Sequence, residues 1–400
     1  MQGARKTGNK RKKIPMPTTV SNAPSTTAAI APAAKSGPSQ GLILSGGGAT
    51  AAYEVGIIKA LLTGQSPATK FTPLDPNVVA GTSAGSINAS LILSVDSQDP
   101  AEVAGYMEDT WLTDLAGGHG KCNSGAFRIR ANPLNFLNLG CYSPNLLSPF
   151  TQLFRDSAVI TESLFKSAVN FLSSSGDLEQ RASELVNLSF LVSTDPLRSF
   201  LTKRIRLDKI RASRRALRIA VTNWRQGSLR AFRNEDMTDE NGIAVILASS
   251  AIPGFYPPVE IEGDPYVDGG VLANTPLKPA IDAGANEVHI IYMHDDIASV
   301  PLPKTPNMIH DIFRAITAVM CGSVNSDIEN AREVNAAVAA GDAGKDGSHQ
   351  PLTVHRYHPK GDLGVGVLSF GLEGLQRLIE QGIRDAIEHN CDENQCVLPA

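Results

Sequence analysis

Apolar residues in the first part of the chain fall into short runs that stop at glycine-rich turns and give way to helical spacing. Leu42, Ile43 and Leu44 form the first run and read as a buried strand. Ser45-Gly46-Gly47-Gly48 ends it, and from Ala51 to Leu62 apolar residues recur at helical intervals. A second unit follows: Val78, Val79 and Ala80, the turn Gly81-Thr82-Ser83-Ala84-Gly85, then a helical pattern to Val95. Strand–turn–helix units in tandem predict a parallel sheet with helices on its faces. Sites in such sheets gather at the carboxyl ends of the strands, so both turns should share one edge.

Further on, Val103, Met107, Trp111 and Leu115 mark a helix over Ala101 to Leu115. Residues 117–150, rich in Gly, Asn and Pro, read as a long irregular segment that could cover a site. Helical patterns span Thr161 to Ser173 and Asp177 to Val186. Strands are expected at Leu188 to Val192, Leu217 to Val221 and Leu229 to Phe232. Thr238 to Ser250 reads as a capped helix, Tyr266 to Gly270 as a strand-like turn, and Val288 to Tyr292 as a strand. Met308 to Met320 and Ser323 to Ala340 predict two helices. A polar loop (Asp342 to Ser348), a strand (Pro351 to Tyr357) and a closing helix (Gly371 to His389) complete the chain.

Composition fits this picture: 42% apolar residues and a mean hydropathy of −0.08 suit a soluble protein with a sizeable core. No apolar run is long enough to span a bilayer, and no stretch has the form of a secretory signal, so a cytoplasmic protein is expected. Residues 1–40 carry seven basic side chains and no acid, although the whole chain has a net charge of −4. That segment is also rich in Pro, Ser, Thr and Ala without period, which predicts a disordered basic tail before a single domain over 41–400. It lacks aromatics to stack on bases, and no nucleic-acid partner is expected. A second basic run, Arg198 to Arg218, reads either as a solvated face or as a surface for peripheral contact with anionic lipid headgroups.

The candidate chemistry lies in the turns. Gly81-x-Ser83-x-Gly85 between strand and helix is the setting in which G-x-S-x-G presents a nucleophilic hydroxyl. A packing-driven turn is the plain alternative. Gly46 to Gly48 admits three readings: a loose dinucleotide fingerprint with Ala51, a packing turn, or an oxyanion hole built from unobstructed N–H groups. The last explains both turns with one site. A serine nucleophile needs a base. Asp268, in the open turn Asp268-Gly269-Gly270, stands out over the eight histidines. His289 sits in an apolar strand with a core role, while His119, His349, His355, His358 and His389 lie in polar or terminal surroundings. The five cysteines (Cys122, Cys141, Cys321, Cys391, Cys396) are odd in number and irregular in spacing, which argues against a disulfide framework. Cys391 and Cys396 could supply two metal ligands, but no neighbouring cluster completes a site, so free thiols are expected.

Four pieces in fixed order resemble the patatin-like acyl hydrolase family, bacterial phospholipase type. They are Gly46-Gly47-Gly48 with Ala52-Tyr53-Glu54-Val55-Gly56, then Gly81-Thr82-Ser83-Ala84-Gly85, then Ala248 to Val259, and last Asp268-Gly269-Gly270. The resemblance covers a motif core over 41–291, leaving 301–400 as a helical extension. It implies a three-layer α/β/α fold with a mainly parallel sheet, and a Ser83–Asp268 dyad. It also implies an oxyanion hole at Gly46, Gly47 and Gly48, a lipid or phospholipid substrate, and neither cofactor nor metal. Many relatives carry Arg or Lys two residues after the last glycine, where this chain has Thr50. The rival readings are an α/β-hydrolase with a Ser–His–Asp triad and a non-catalytic lipid-binding relative.

Overall fold

The computed structural model describes residues 39–116, 125–126, 128–129, 192–302, 308–342 and 350–399. The basic tail up to residue 38, nearly all of 117–191 with its expected helices, and the polar loop lie outside the described residues.

Strands β1 (Gln40–Leu44) and β2 (Val78–Thr82) are buried along almost their whole length. Both of their faces are covered, which is why they read as unbroken apolar runs. They pair in parallel, with Leu42 opposite Val79 and Leu44 opposite Gly81. Successive side chains feed opposite layers: Leu42, Leu44 and Val79 join one core cluster, Ile43, Val78 and Ala80 the other.

The further strands are the short antiparallel pair β3 (Arg128–Ile129) and β4 (Val192–Ser193), then β5 (Ala216–Asn223), β6 (Ser228–Phe232), β7 (Val259–Ile261), β8 (Asp264–Asp268), β9 (Glu287–Ile291) and β10 (Thr353–Tyr357). The main sheet runs β10-β9-β1-β2-β5-β8-β7, with β6 beside β5. The first five strands are parallel, and β6, β7 and β8 add antiparallel pairs at one side. This is the expected mainly parallel α/β fold.

Helices α1 (Ala52–Leu62), α2 (Ala84–Ser94), α3 (Pro100–Asp109), α4 (Asp195–Arg204), α5 (Leu207–Ala212) and α6 (Gly242–Ser249) follow the strands in sequence. After them come α7 (Leu277–Asp282), α8 (Met308–Ala339) and α9 (Leu372–Ile387). The α9 stripe Leu375, Leu378, Ile379, Gly382 and Ala386 is buried at helical spacing. It lies directly on α1. A Cβ on Gly56 would stand 2.0 Å from the Ile379 carbonyl oxygen, and one on Gly382 2.1 Å from that of Tyr53. Glycine at each position lets the two backbones touch, and the Tyr53 hydroxyl adds a 2.7 Å bond to Asp385.

Two expectations need correction. The two helices expected around Met308 to Ala340 are one helix of 32 residues. Gly322 passes through it in open space, and one exposed glycine costs a helix only about 1 kcal/mol. The helix expected from Thr238 begins at Gly242 instead, because the Thr238 carbonyl and hydroxyl accept the N–H groups of Gly242 and Asn241 in a preceding turn. The basic run proves to be laced with acids from distant segments. Lys203 and Arg204 meet Asp114, Lys209 meets Asp96, Arg211 meets Asp239, and Arg214 and Arg215 share Asp75. Among the described residues, no helix is long and apolar enough to cross a membrane.

One chemical change should act with opposite signs at two glycines. Gly56→Ala should destabilise by about 2 kcal/mol or more, since backbone blocks the new methyl. Gly322→Ala, in an open helix interior, should stabilise by roughly 0.5–1 kcal/mol. Equilibrium urea unfolding of both variants checks the pair, and equal effects would contradict the crossing.

Candidate active site

Strand β5 explains why two residues 185 positions apart in sequence can meet. Thr82, the last residue of β2, lies opposite Ala220, while Asp268, the last residue of β8, lies opposite Val221. The parallel and the antiparallel partner thus end head to head along the same side of β5. Ser83 leaves one end and the Asp268 carboxyl closes the other. Thr222 reinforces the join by donating its hydroxyl to the Asp268 carbonyl at 3.0 Å.

Ser83 sits at φ 54° and ψ −126°, a backbone state that costs a side-chain-bearing residue of order 1–3 kcal/mol. The turn is held on two sides. The Ser83 N–H donates to Ser249 Oγ at 2.9 Å, and Ser249 Oγ donates to the Ala220 carbonyl at 2.8 Å. On the helix side, Ser86 donates its hydroxyl to the Ser83 carbonyl at 2.6 Å. Gly81 and Gly85 serve this turn through space, not through left-handed backbone. A Cβ on Gly81 would stand 2.3 Å from the Gly85 carbonyl oxygen, and one on Gly85 2.3 Å from that of Leu44.

The first glycine turn closes over the same serine. A Cβ on Gly46 would come within 2.9 Å of Ser83 Cβ, and one on Gly48 (φ 57°) within 2.4 Å of the Val367 carbonyl oxygen. The three glycine N–H groups are not equivalent. Gly46 N–H is committed to Asn274, with Oδ1 at 3.1 Å and the main-chain oxygen at 3.3 Å. The N–H groups of Gly47 and Gly48 make no hydrogen bond among the described residues. Thr50 is buried and donates its hydroxyl to the Gly47 carbonyl at 2.8 Å, which closes the turn.

Asp268 is buried, and its Oδ1 accepts the Gly270 N–H at 2.7 Å. Oδ2 has no hydrogen-bond partner of good geometry among the described residues. Burial raises its pKa to about 7, against which the Gly270 N–H and the Ser83 hydroxyl both pull down. That lifts it well out of the ordinary carboxylate range near 3.9.

The histidines divide differently from the sequence reading. His294, just beyond β9, lines the cavity at Ser83 and is held below its usual pKa by burial. Its position past the carboxyl end of a parallel strand was the signal available for it. Asn274, which ties the glycine turn to the Asp268 turn, had no such signal. His289 is a buried core residue as expected, its Nδ1 3.2 Å from the Tyr357 hydroxyl. His355 and His389 are buried too, and they come together with Cys391 and Cys396. Those two cysteines form no disulfide, but the expectation that no neighbouring cluster completes a site with them is overturned by the two histidines.

Two narrow cavities flank Ser83. One, of about 30 Å³, is lined by Gly46 to Gly48, Ile252, Met293, Met320 and Val324 among others. The second, of about 50 Å³, is walled by Ile87, Trp111, Leu115, Tyr256, Leu368 and Phe370. Both have mainly apolar walls, with Asn274, His294 and Thr317 as polar residues lining the first.

The mainly parallel sheet flanked by helices is consistent with the patatin-like fold. The chain matches the patatin-like phospholipase family over residues 42–281, and it belongs to that family. A 55-residue stretch is 47% identical to the uncharacterized protein YjjU of Escherichia coli (strain K12), covering 14% of this chain and 15% of that relative's length. The crystal structure of VipD from Legionella pneumophila aligns with 88% of this chain and 66% of its own, at 14% identity and a TM-score of 0.36.

The buried carboxyl makes stability depend on pH in a defined direction. The Asp268 pKa is raised in the folded state, so its favourable contribution is complete below the unfolded value of 3.8 and is lost as pH rises through about 7. Removing the charge should recover up to roughly 4 kcal/mol at high pH. Asp268→Asn should therefore melt above wild type at pH 8.5, with the gap closing toward pH 5. Thermal melts across that range check this; a gap independent of pH would refute the burial cost.

Proposed function

We propose that the chain is a lipid acyl hydrolase that cleaves carboxylic ester bonds by way of a Ser83 acyl-enzyme, with Asp268 as the base. The observation that carries the reading is the head-to-head ending of β2 and β8 on β5, which sets a strained serine against a buried, half-partnered carboxylate. Asp268 takes the Ser83 proton as Oγ attacks the ester carbonyl carbon. The resulting oxyanion is held by the N–H groups of Gly47 and Gly48, while Gly46 shapes the loop through Asn274. The N-terminal end of α2 adds partial positive charge on the same side. Collapse breaks the ester bond, and Asp268 returns its proton to the departing alcohol. Water, deprotonated by the same carboxylate, then attacks the acyl-enzyme and releases the fatty acid with Ser83 restored.

The apolar walls favour an acyl chain as the group beside Ser83. Cavities of about 30 and 50 Å³ are too small for one, so substrate entry calls for side chains such as Val367, shared by both, to move aside. A pKa of about 7 suits a general base near neutral pH, because it joins an accessible ionised form to real proton affinity. His294 supports a second reading, in which an imidazole in the same cavity takes the proton.

Hydrolysis of a short-chain p-nitrophenyl ester and of a mixed phospholipid panel separates these. Ser83→Ala and Asp268→Asn should each lower kcat by a factor on the order of 10³ or more, and wild-type kcat/KM should rise with pH through about 7. His294→Asn should keep most of the activity. Loss with His294→Asn, and retention with Asp268→Asn, would move the base to the histidine. Full activity in Ser83→Ala would end both readings.

A further inference from the structure

Four side chains that the chemistry at Ser83 does not use converge at the turn after α9. His389, Cys391 and Cys396 belong to that turn, and His355 projects from β10. Their ligand atoms all lie within 4.8 Å of one another. His389 Nε2 is 3.5 Å from Cys391 Sγ and 3.6 Å from Cys396 Sγ, and His355 Nδ1 is 3.4 Å from Cys391 Sγ. A tetrahedral ion holding sulfur at about 2.3 Å and imidazole nitrogen at about 2.05 Å sets those two ligand types roughly 3.5 Å apart. All three distances fall on that edge length.

We propose that His355, His389, Cys391 and Cys396 form a structural zinc site. Two thiolates and two imidazoles in tetrahedral array select zinc among the common divalent ions. Four protein ligands leave no open position, so the role is structural and not catalytic. The surroundings fit. Both imidazoles are less than a tenth exposed. Glu287 Oε1 stands 3.9 Å from His355 Nε2, beyond hydrogen-bond distance but on the far side of the ring, from which a small shift would let it orient a ligating imidazole. His389 Nδ1 lies 2.7 Å from the Asn394 amide nitrogen. Ligation through Nε2 puts the ring proton on Nδ1, so zinc binding requires the Asn394 amide, whose nitrogen also donates to the Arg356 carbonyl at 3.0 Å, to shift.

The ion would pin the end of the chain to the sheet. β10 is the outermost described strand on its side, and Val397 pairs with Val354 in both directions at 2.7 and 2.9 Å. The Cys391–Cys396 turn continues that pairing, closed by the Cys396 N–H to the Cys391 carbonyl at 2.9 Å. Zinc there would fasten a short covering segment over an otherwise open sheet edge.

The full chain, purified in a phosphine reductant without metal-affinity chromatography, should carry one equivalent of zinc that a mercurial releases as it titrates the thiols. Protein produced with cobalt instead should show thiolate-to-cobalt charge transfer and tetrahedral visible bands. Cys391→Ser and Cys396→Ser should each lose the equivalent and melt at lower temperature. Cys321→Ser, whose thiol lines the Ser83 cavity, should keep it. Should the two serine variants fail to fold, the wild-type cobalt spectrum decides alone. Reduced wild-type protein that takes up neither zinc nor cobalt overturns the assignment. So does a Cys391–Cys396 disulfide that, once reduced, binds no cobalt, or full metal retention by the double serine variant.

Discussion

Backbone touching backbone, with no side chain between, is the constraint on which the carboxyl edge of this sheet depends. At Gly81, Gly85, Gly48 and Gly269 a single methyl group would stand 2.3 to 2.4 Å from a main-chain carbonyl oxygen. These approaches bring the end of β2, the start of α2 and the first glycine turn into one small volume. They also allow the turn after Asp268 to press on Ala220, the residue opposite Thr82. The glycines therefore act as spacers of zero thickness. The unusual backbone angle is carried by Ser83 itself, and its neighbours hold it there through Ser249 and Ser86.

Burial then sets the electrostatics. A carboxylate in the open would be a weak base, and one sealed without donors would stay protonated. Asp268 lies between, raised by desolvation and tempered by one main-chain donor and the serine hydroxyl. A second buried acid serves the scaffold. Glu54 accepts from Asn88 Nδ2 at 2.8 Å, and burial raises its pKa well above the ordinary value. Asn88 also accepts the Trp111 indole N–H at 2.7 Å. That chain fixes α2 against α1 and the segment after α3, so the helix that starts beside Ser83 cannot drift. One buried acid holds the scaffold rigid, while the other keeps a titrating proton at its edge.

Much of this was legible in the sequence because it rests on local rules. Unbroken apolar runs before glycine turns announced β1, β2 and their helices, and Asp268 followed from an acid on an open turn after a strand. What stayed hidden depends on register between distant strands. Nothing near Ser83 says that Thr82 and Asp268 will occupy adjacent positions along β5. The same holds for the loss of Gly46 as a free donor, which requires knowing that Asn274 folds back onto it. The join between Met308 and Ala339 was missed for a different reason: a single exposed glycine looks like a break but is only a mild penalty.

His355 and His389 depend on distant register in the same way. Sequence placed His355 and His389 in unremarkable surroundings because each was weighed in its own neighbourhood. His389 lies two residues before Cys391, so half of a ligand pattern was in plain view. The other half needed β10 to lie beside the end of the chain, and only sheet order supplies that. His355 is paired with His289 across β9 and β10, their rings stacked at 4.8 Å. That pairing turns the His355 ring toward the C-terminal thiols and sets Glu287 at its back. A strand register chosen by apolar packing thus fixes the geometry of a polar cluster, just as β5 fixes the meeting of Ser83 and Asp268 at the opposite end of the strand order.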